Sequence, residues 1–193
     1  MNICVYGASG DRLDRVYFDA AERLGELIGK GGHSLIFGGG QNGLMGACAR
    51  GVSREKGKIT GIAPRFFDEP GILYPNCSRF IFTETMGERK AAMEEAAEAF
   101  IVLPGGIGTY EEFFETLTLK QLGRHGKPIA VLNTAGYYDA MAHMLRQTAE
   151  QGFMSQSCLS LFILCDTPEQ ALDHVLHDKP LSGSIKRLSD YNT

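Results

Sequence analysis

Short runs of apolar residues alternate along this chain with longer stretches whose apolar positions recur every three or four residues. The runs 99–103 and 128–132 are apolar throughout, the pattern of strands covered on both faces. Seven such runs, at 2–7, 34–38, 58–63, 79–83, 99–103, 128–132 and 160–164, read as strands. Six amphipathic stretches, at 14–30, 43–56, 86–98, 110–123, 137–151 and 168–177, read as helices. This alternation predicts an α/β fold, a doubly wound Rossmann-like parallel sheet with helices on both faces. No linker or low-complexity segment divides it, so one domain is expected over 1–180. A polar tail without apolar periodicity follows over 181–193.

Composition narrows the picture. With 193 residues, 44% of them hydrophobic, the chain is ample for one packed domain and slim for two. The net charge of -4 and the absence of a long basic block argue against nucleic acid as a partner. Cysteines 4, 48, 77, 158 and 165 are odd in number, form no CxxC pair, and in part lie inside apolar runs. They read as buried, reduced thiols rather than a disulfide or zinc framework. The first seven residues are too short an apolar segment for a signal peptide, and no stretch reaches membrane-spanning length. A cytoplasmic protein without a membrane partner is expected.

Three strands run into glycine turns: Gly7-Ala8-Ser9-Gly10, Gly38-Gly39-Gly40-Gln41-Asn42-Gly43 and Gly105-Gly106-Ile107-Gly108. In an open parallel sheet every strand's carboxyl end lies on one edge, so these turns predict one large site rather than three small ones. The Gly38-x-Gly40-x-x-Gly43 spacing matches the dinucleotide fingerprint only formally. It follows the second strand, and the next strand ends in Ala63-Pro64-Arg65 without the expected acid. A mononucleotide or sugar phosphate and mere close packing of helix on strand are equally good readings there. The Gly105–Thr109 turn lacks a Walker GK[ST] ending. It suits a single phosphate held by backbone N–H groups at a helix start and by the Thr109 hydroxyl.

Two charged features accompany these turns. Thr109-x-x-Glu112 reads as a capping box, which would occupy Glu112 structurally. Yet Glu112 lies off the apolar stripe Tyr110, Phe113, Phe114 and Leu117, facing a cleft or a partner subunit. Thr85-x-x-Glu88 is a second capping box, and it places Arg89 and Lys90 near a helix N-terminus, where the dipole disfavours cations. They share a face with Met86, Met93 and Ala97. A phosphate or a carboxylate such as Glu112 would satisfy them, and the competing reading is that both side chains snorkel to the rim. His174 and His177, beside Asp173 and Asp178, are loosely metal-like but read better as solvated helix-end residues. No HExxH, His/Cys cluster or G-x-S-x-G elbow is present, which disfavours metal and nucleophilic catalysis.

At these residues the chain resembles the Lonely Guy family of nucleoside 5'-monophosphate phosphoribohydrolases, cytokinin-activating enzymes often mislabelled lysine decarboxylases. The motif PGGxGTxxE stands complete from Pro104 to Glu112, M-x-x-R-K from Met86 to Lys90, and GGGxxGLMG from Gly38 to Gly46. Gln121-Leu122-Gly123, Lys127-Pro128, Leu132-Asn133 and Gly136-Tyr137-Tyr138 extend the likeness, which runs from about Asn2 to about Val175. The resemblance implies hydrolysis of the N-glycosidic bond of an AMP-like nucleotide to free base and ribose 5-phosphate. It implies Arg89 and Glu112 as catalytic residues. Gly7, Ser9, Gly39, Gly40, Gly43, Met86, Lys90, Gly105, Gly106, Gly108 and Thr109 would contact substrate or its phosphate. It further implies no metal or organic cofactor, and a homodimer or larger homo-oligomer. Gly87 stands where many relatives carry His, and Gly7-Ala8-Ser9 where they read G-S-S; both bear on substrate preference. A non-catalytic carrier of a nucleotide or of the molybdenum cofactor is the competing reading. A pyridoxal-dependent lysine decarboxylase would have to rely on Lys90.

Overall fold

The computed structural model describes residues 1–178. Seven strands, β1 (Asn2–Tyr6), β2 (Ser34–Phe37), β3 (Lys58–Pro64), β4 (Arg79–Thr83), β5 (Ala99–Val102), β6 (Ile129–Leu132) and β7 (Ile163–Cys165), form one parallel sheet ordered β4-β3-β2-β1-β5-β6-β7. Six α-helices accompany them: α1 (Arg15–Lys30), α2 (Gly43–Arg54), α3 (Met86–Ala96), α4 (Ile107–Gln121), α5 (Asp139–Glu150) and α6 (Pro168–His177). The polar tail expected over 181–193 lies outside the described residues. No helix among the described residues is long and apolar enough to cross a membrane.

Alternation along the strands builds two cores. Ile3, Val5, Leu35, Phe37 and Ile101 face one way and pack on α1, α2 and α6. Cys4, Tyr6, Ile36, Phe100, Val102 and Val131 face the other and pack on α3, α4 and α5. The winding reverses after β4: α3 carries the chain back across the sheet, and β5 is laid beside β1. The crevice therefore opens between the carboxyl ends of β1 and β5, where their pairing stops at Tyr6 and Val102.

Element boundaries follow the predicted ones closely, with one displaced strand. Of the run expected as a strand over 160–164, Ser160 ends a 3-10 turn at Gln156–Ser160, residues 161–162 link it to the sheet, and only 163–164 fall in the shorter β7. Serine side chains hold that turn. Ser155 accepts from the Ser157 amide at 3.3 Å, and Ser160 donates to the Ser157 carbonyl at 2.7 Å. Leu161 and Phe162 are buried in the core from this loop rather than from the sheet.

Helices α1 and α2 touch backbone to backbone through glycine. A Cβ on Gly25 would sit 2.0 Å from the Cys48 carbonyl oxygen, and one on Gly51 would sit 2.2 Å from that of Glu22. Gly25→Ala therefore pushes the helices apart, because backbone cannot yield as a side chain does. A cost of about 1–3 kcal/mol is expected, seen as a Tm drop of roughly 5 °C in thermal unfolding.

Candidate active site

The three glycine turns meet at the crevice. Residues from all three line one cavity of about 680 Å³, a size that holds a nucleotide-sized ligand. The turns are stitched together by backbone. The Ala8 amide donates to the Pro104 carbonyl at 3.0 Å, and the Leu44 amide donates to the Ala8 carbonyl at 2.8 Å.

Two helices point their N-termini here, and they differ in availability. At α2 the anion position is filled by the protein itself. The Gly43 amide donates to the Asp11 carboxylate at 2.7 Å, and the Leu44 and Met45 amides both reach the Ala8 carbonyl. Gly43, at φ +62°, would place a Cβ 2.3 Å from that carbonyl oxygen. Close packing thus accounts for the Gly38–Gly43 spacing, and the phosphate reading of that turn loses its amides. Helix α4 is open. Gly106 caps it in an extended conformation, and its first bond back runs from the Tyr110 amide to the Gly106 carbonyl. The amides of Ile107, Gly108 and Thr109 precede that bond, as helix geometry requires. Gly106 and Gly108 have open space at their Cβ positions, so a ligand can approach the backbone.

The helix starts three residues before the expected position, and this removes the Thr109-x-x-Glu112 capping box. A cap residue must be extended, and Thr109 is already helical, in the first turn. Its side chain lies over Gly105, where a Cβ would fall 2.1 Å from Thr109 Oγ1. Glu112 is thereby released from capping. The other box forms in part: Thr85 accepts from the Glu88 amide at 3.1 Å, while Glu88 accepts from the amide of Glu84, one residue before the cap, at 2.9 Å.

Arg89 and Glu112 meet on the cavity wall, each only 7% exposed, with Nη1 2.5 Å from Oε1. The guanidinium needs room that only glycine leaves, since a Cβ on Gly38 would lie 2.3 Å from Arg89 Nη2. Burial pushes the Glu112 carboxyl above the ordinary value of 4.5, and the adjacent Arg89 pulls it back only in part. A carboxylate with raised basicity, beside a fixed cation and an open helix N-terminus, can accept a proton and stabilise developing positive charge.

The cavity wall includes Gly7, Ser9, Gly40, Met86, Arg89, Gly106, Gly108, Thr109 and Glu112 among the residues expected from sequence. Gly39, Gly43 and Gly105 lie behind it and shape the turns; Gly39, at φ +80°, packs under Phe80. Lys90 turns away from Arg89. Its ammonium pairs with Glu111 and with Glu115, the latter at 2.7 Å, on the outer side of α4. One helical step separates the two cations by about 100°, enough to send one inward and the other to the flank. Sequence reasoning missed the apolar wall formed by Met45, Phe67, Ile72 and Leu73. The chain between β3 and β4 crosses the Gly38–Gly43 turn, with the Gln41 amide on the Ile72 carbonyl at 2.9 Å and the Tyr74 amide on the Gly39 carbonyl at 2.8 Å. Apolar residues stranded in a loop, Phe66-Phe67 and Ile72-Leu73, were the signal that could have found it.

His174 and His177 pair with Asp178 and Asp173 at 3.6 and 2.9 Å along their own helix. No group of three or more potential metal ligands occurs among the described residues, and none of the five cysteines forms a disulfide.

The protein is a doubly wound α/β protein with an open helix N-terminus and a buried Arg–Glu pair at its switch point, and sequence comparison identifies its family. The chain belongs to the family described as "Possible lysine decarboxylase", whose model matches residues 45–175, and within it to the Lonely Guy group. It is similar to the cytokinin riboside 5'-monophosphate phosphoribohydrolase of Arabidopsis thaliana, with 35% identity over 88% of this chain and 80% of that protein. The like-named protein of Rhodococcoides fascians is 36% identical over 81% of this chain and 79% of that protein. Among solved structures, the molybdenum cofactor binding protein of Rippkaea orientalis shares the fold at a TM-score of 0.71 and 21% identity, covering 91% of this chain and 94% of that one.

The ion pair yields a pH test. Arg89→Met leaves Glu112 buried without its cation, so its carboxyl titrates still higher than in the wild type. A carboxyl raised in the folded state contributes stability that is present below the unfolded value and lost as pH rises through the folded one. Thermal melts from about pH 4 to about pH 8 should show the variant losing more stability toward high pH than the wild type.

Proposed function

We propose that this chain is a phosphoribohydrolase that cleaves the N-glycosidic bond of a purine nucleoside 5'-monophosphate, AMP or an N6-substituted AMP. The observation that carries this reading is the buried Arg89–Glu112 pair facing the same cavity as the open N-terminus of α4. The names of the two enzymes just described support it. The 5'-phosphate sits on the amides of Gly106, Gly108 and Thr109, and this remote grip fixes the ribose beneath the pair. The bond between C1' and the base nitrogen breaks with its electron pair leaving on the base, and positive charge spreads over C1' and the ring oxygen. The Glu112 carboxylate counters that charge and accepts a proton from the attacking water, whose oxygen bonds to C1'. The departing base takes a proton from solvent, Glu112 releases its own to solvent, and ribose 5-phosphate remains. Arg89 holds Glu112 in place. Met45, Phe67, Ile72 and Leu73 supply an apolar seat for a planar base and for an apolar N6 substituent.

The lysine-decarboxylase sense of the family description finds no support in the cavity. No lysine is among its lining residues, and the ammonium of Lys90 is engaged by Glu111 and Glu115. The likeness to a molybdenum cofactor binding protein is one of fold. Five cysteines outside disulfides fit a reducing, cytoplasmic compartment. The same reading includes a homodimer. Ile107, at the α4 N-terminus, is 89% exposed, and Phe66, Phe67, Ile72 and Met86 add exposed apolar surface near the cavity mouth.

Incubation with AMP should release adenine and ribose 5-phosphate, and Glu112→Gln should lower kcat by about a hundredfold or more. Because burial raises the Glu112 carboxyl, the acid limb of kcat/KM should fall above 4.5, and the residual rate of the variant should lack it. No release by the wild type, with a pterin co-purifying instead, would turn the assignment toward a carrier. Sedimentation equilibrium should give twice the 21.1 kDa chain mass, and a monomer would remove the dimer from the proposal.

A further inference from the structure

Three consecutive carbonyls of the turn between β5 and α4 are held from three directions. Tyr138 Oη donates to the Leu103 carbonyl at 2.8 Å, the Ala8 amide to the Pro104 carbonyl at 3.0 Å, and Tyr137 Oη to the Gly105 carbonyl at 2.6 Å. These bonds are not equivalent. In a planar trans peptide the N–H points opposite to the C=O, so fixing a carbonyl aims the next residue's amide. The Leu103 carbonyl shares its peptide with the Pro104 nitrogen, which carries no hydrogen, so Tyr138 aims nothing. The Gly105 carbonyl shares its peptide with the Gly106 N–H, at the residue that caps α4 and lines the cavity. Glycines flank that peptide on both sides, and no side chain surrounds Gly106, so its rotation is otherwise weakly opposed.

We propose that Tyr137 is a positioning residue for the anion cradle, orienting the Gly106 amide through the Gly105 carbonyl. Tyr137 does not line the cavity and so acts through the backbone. Its own placement is tightly specified. Ala135 at φ 53° and Gly136 at φ 72° make a left-handed turn ahead of it, a conformation that Ala seldom adopts. The Asn133 side chain holds the turn, accepting from the Tyr138 amide at 2.7 Å and donating to Asp139 at 2.8 Å. The Tyr137 ring lies edge-on to those of Tyr17 and Tyr138.

The inference rests on the reading that this helix end holds the 5'-phosphate, and the test separates the two. Tyr137→Phe removes one hydroxyl and keeps the ring. KM for AMP should rise about five- to tenfold with kcat changed less than about twofold. By titration calorimetry, ribose 5-phosphate should bind correspondingly more weakly to the variant, whereas adenine binds as to the wild type. Tyr138→Phe, whose hydroxyl is buried against the Leu103 carbonyl, should lower Tm and leave KM for AMP in place. Unchanged KM and ribose 5-phosphate affinity in a folded Tyr137→Phe protein would overturn the proposal. So would equal weakening of adenine and ribose 5-phosphate, which marks general loosening. Wild-type protein that neither cleaves AMP nor binds ribose 5-phosphate would instead overturn the underlying assignment.

Discussion

A guanidinium and a carboxylate taken out of water must be paired, and most of the site follows from how this protein brings that pair about. Arg89 and Glu112 come from different helices, α3 and α4, that flank β5 on one face of the sheet. Their contact requires the crossing of α3 back over the sheet and the bare backbone of Gly38, which leaves space for the guanidinium. Burial raises the carboxyl above its ordinary value and the nearby cation holds it in place, so one arrangement would supply both the reactivity and the orientation that the proposed reaction needs.

The helix ends show how similar sequence features acquire different roles. Both α2 and α4 follow glycine turns at the same sheet edge. At α2, Asp11 and the Ala8 carbonyl satisfy the first amides, and the turn serves packing. At α4 the equivalent amides remain for a ligand, and the protein's own hydrogen bonds go instead to the carbonyls of Leu103, Pro104 and Gly105. Donors held outward by acceptors bound inward give the preorganised anion site on which the proposed function relies.

Much of the fold was legible in the chain because its strands bury both faces and its helices bury one, leaving periodicities that differ plainly. The misplaced strand near residue 160 shows where this fails: Leu161 and Phe162 are apolar because the core takes them from a loop, and local pattern cannot distinguish loop from strand burial. The start of α4 departs from the expected one for a related reason. Thr109 has the chemistry of a cap, but Gly106 takes that position.

By itself the sequence determined the alternation of strands and helices, the three glycine turns on one sheet edge, and the presence near a helix N-terminus of an Arg that needs an anion. These are properties of neighbouring residues, written in local spacing and in the conformational freedom of glycine. Only the tertiary structure decided that Arg89 turns inward and Lys90 outward, that Asp11 closes one helix end, and that Phe67, Ile72 and Leu73 wall the cavity. Those outcomes join residues tens of positions apart, and space around each side chain, not its identity, selects its partner.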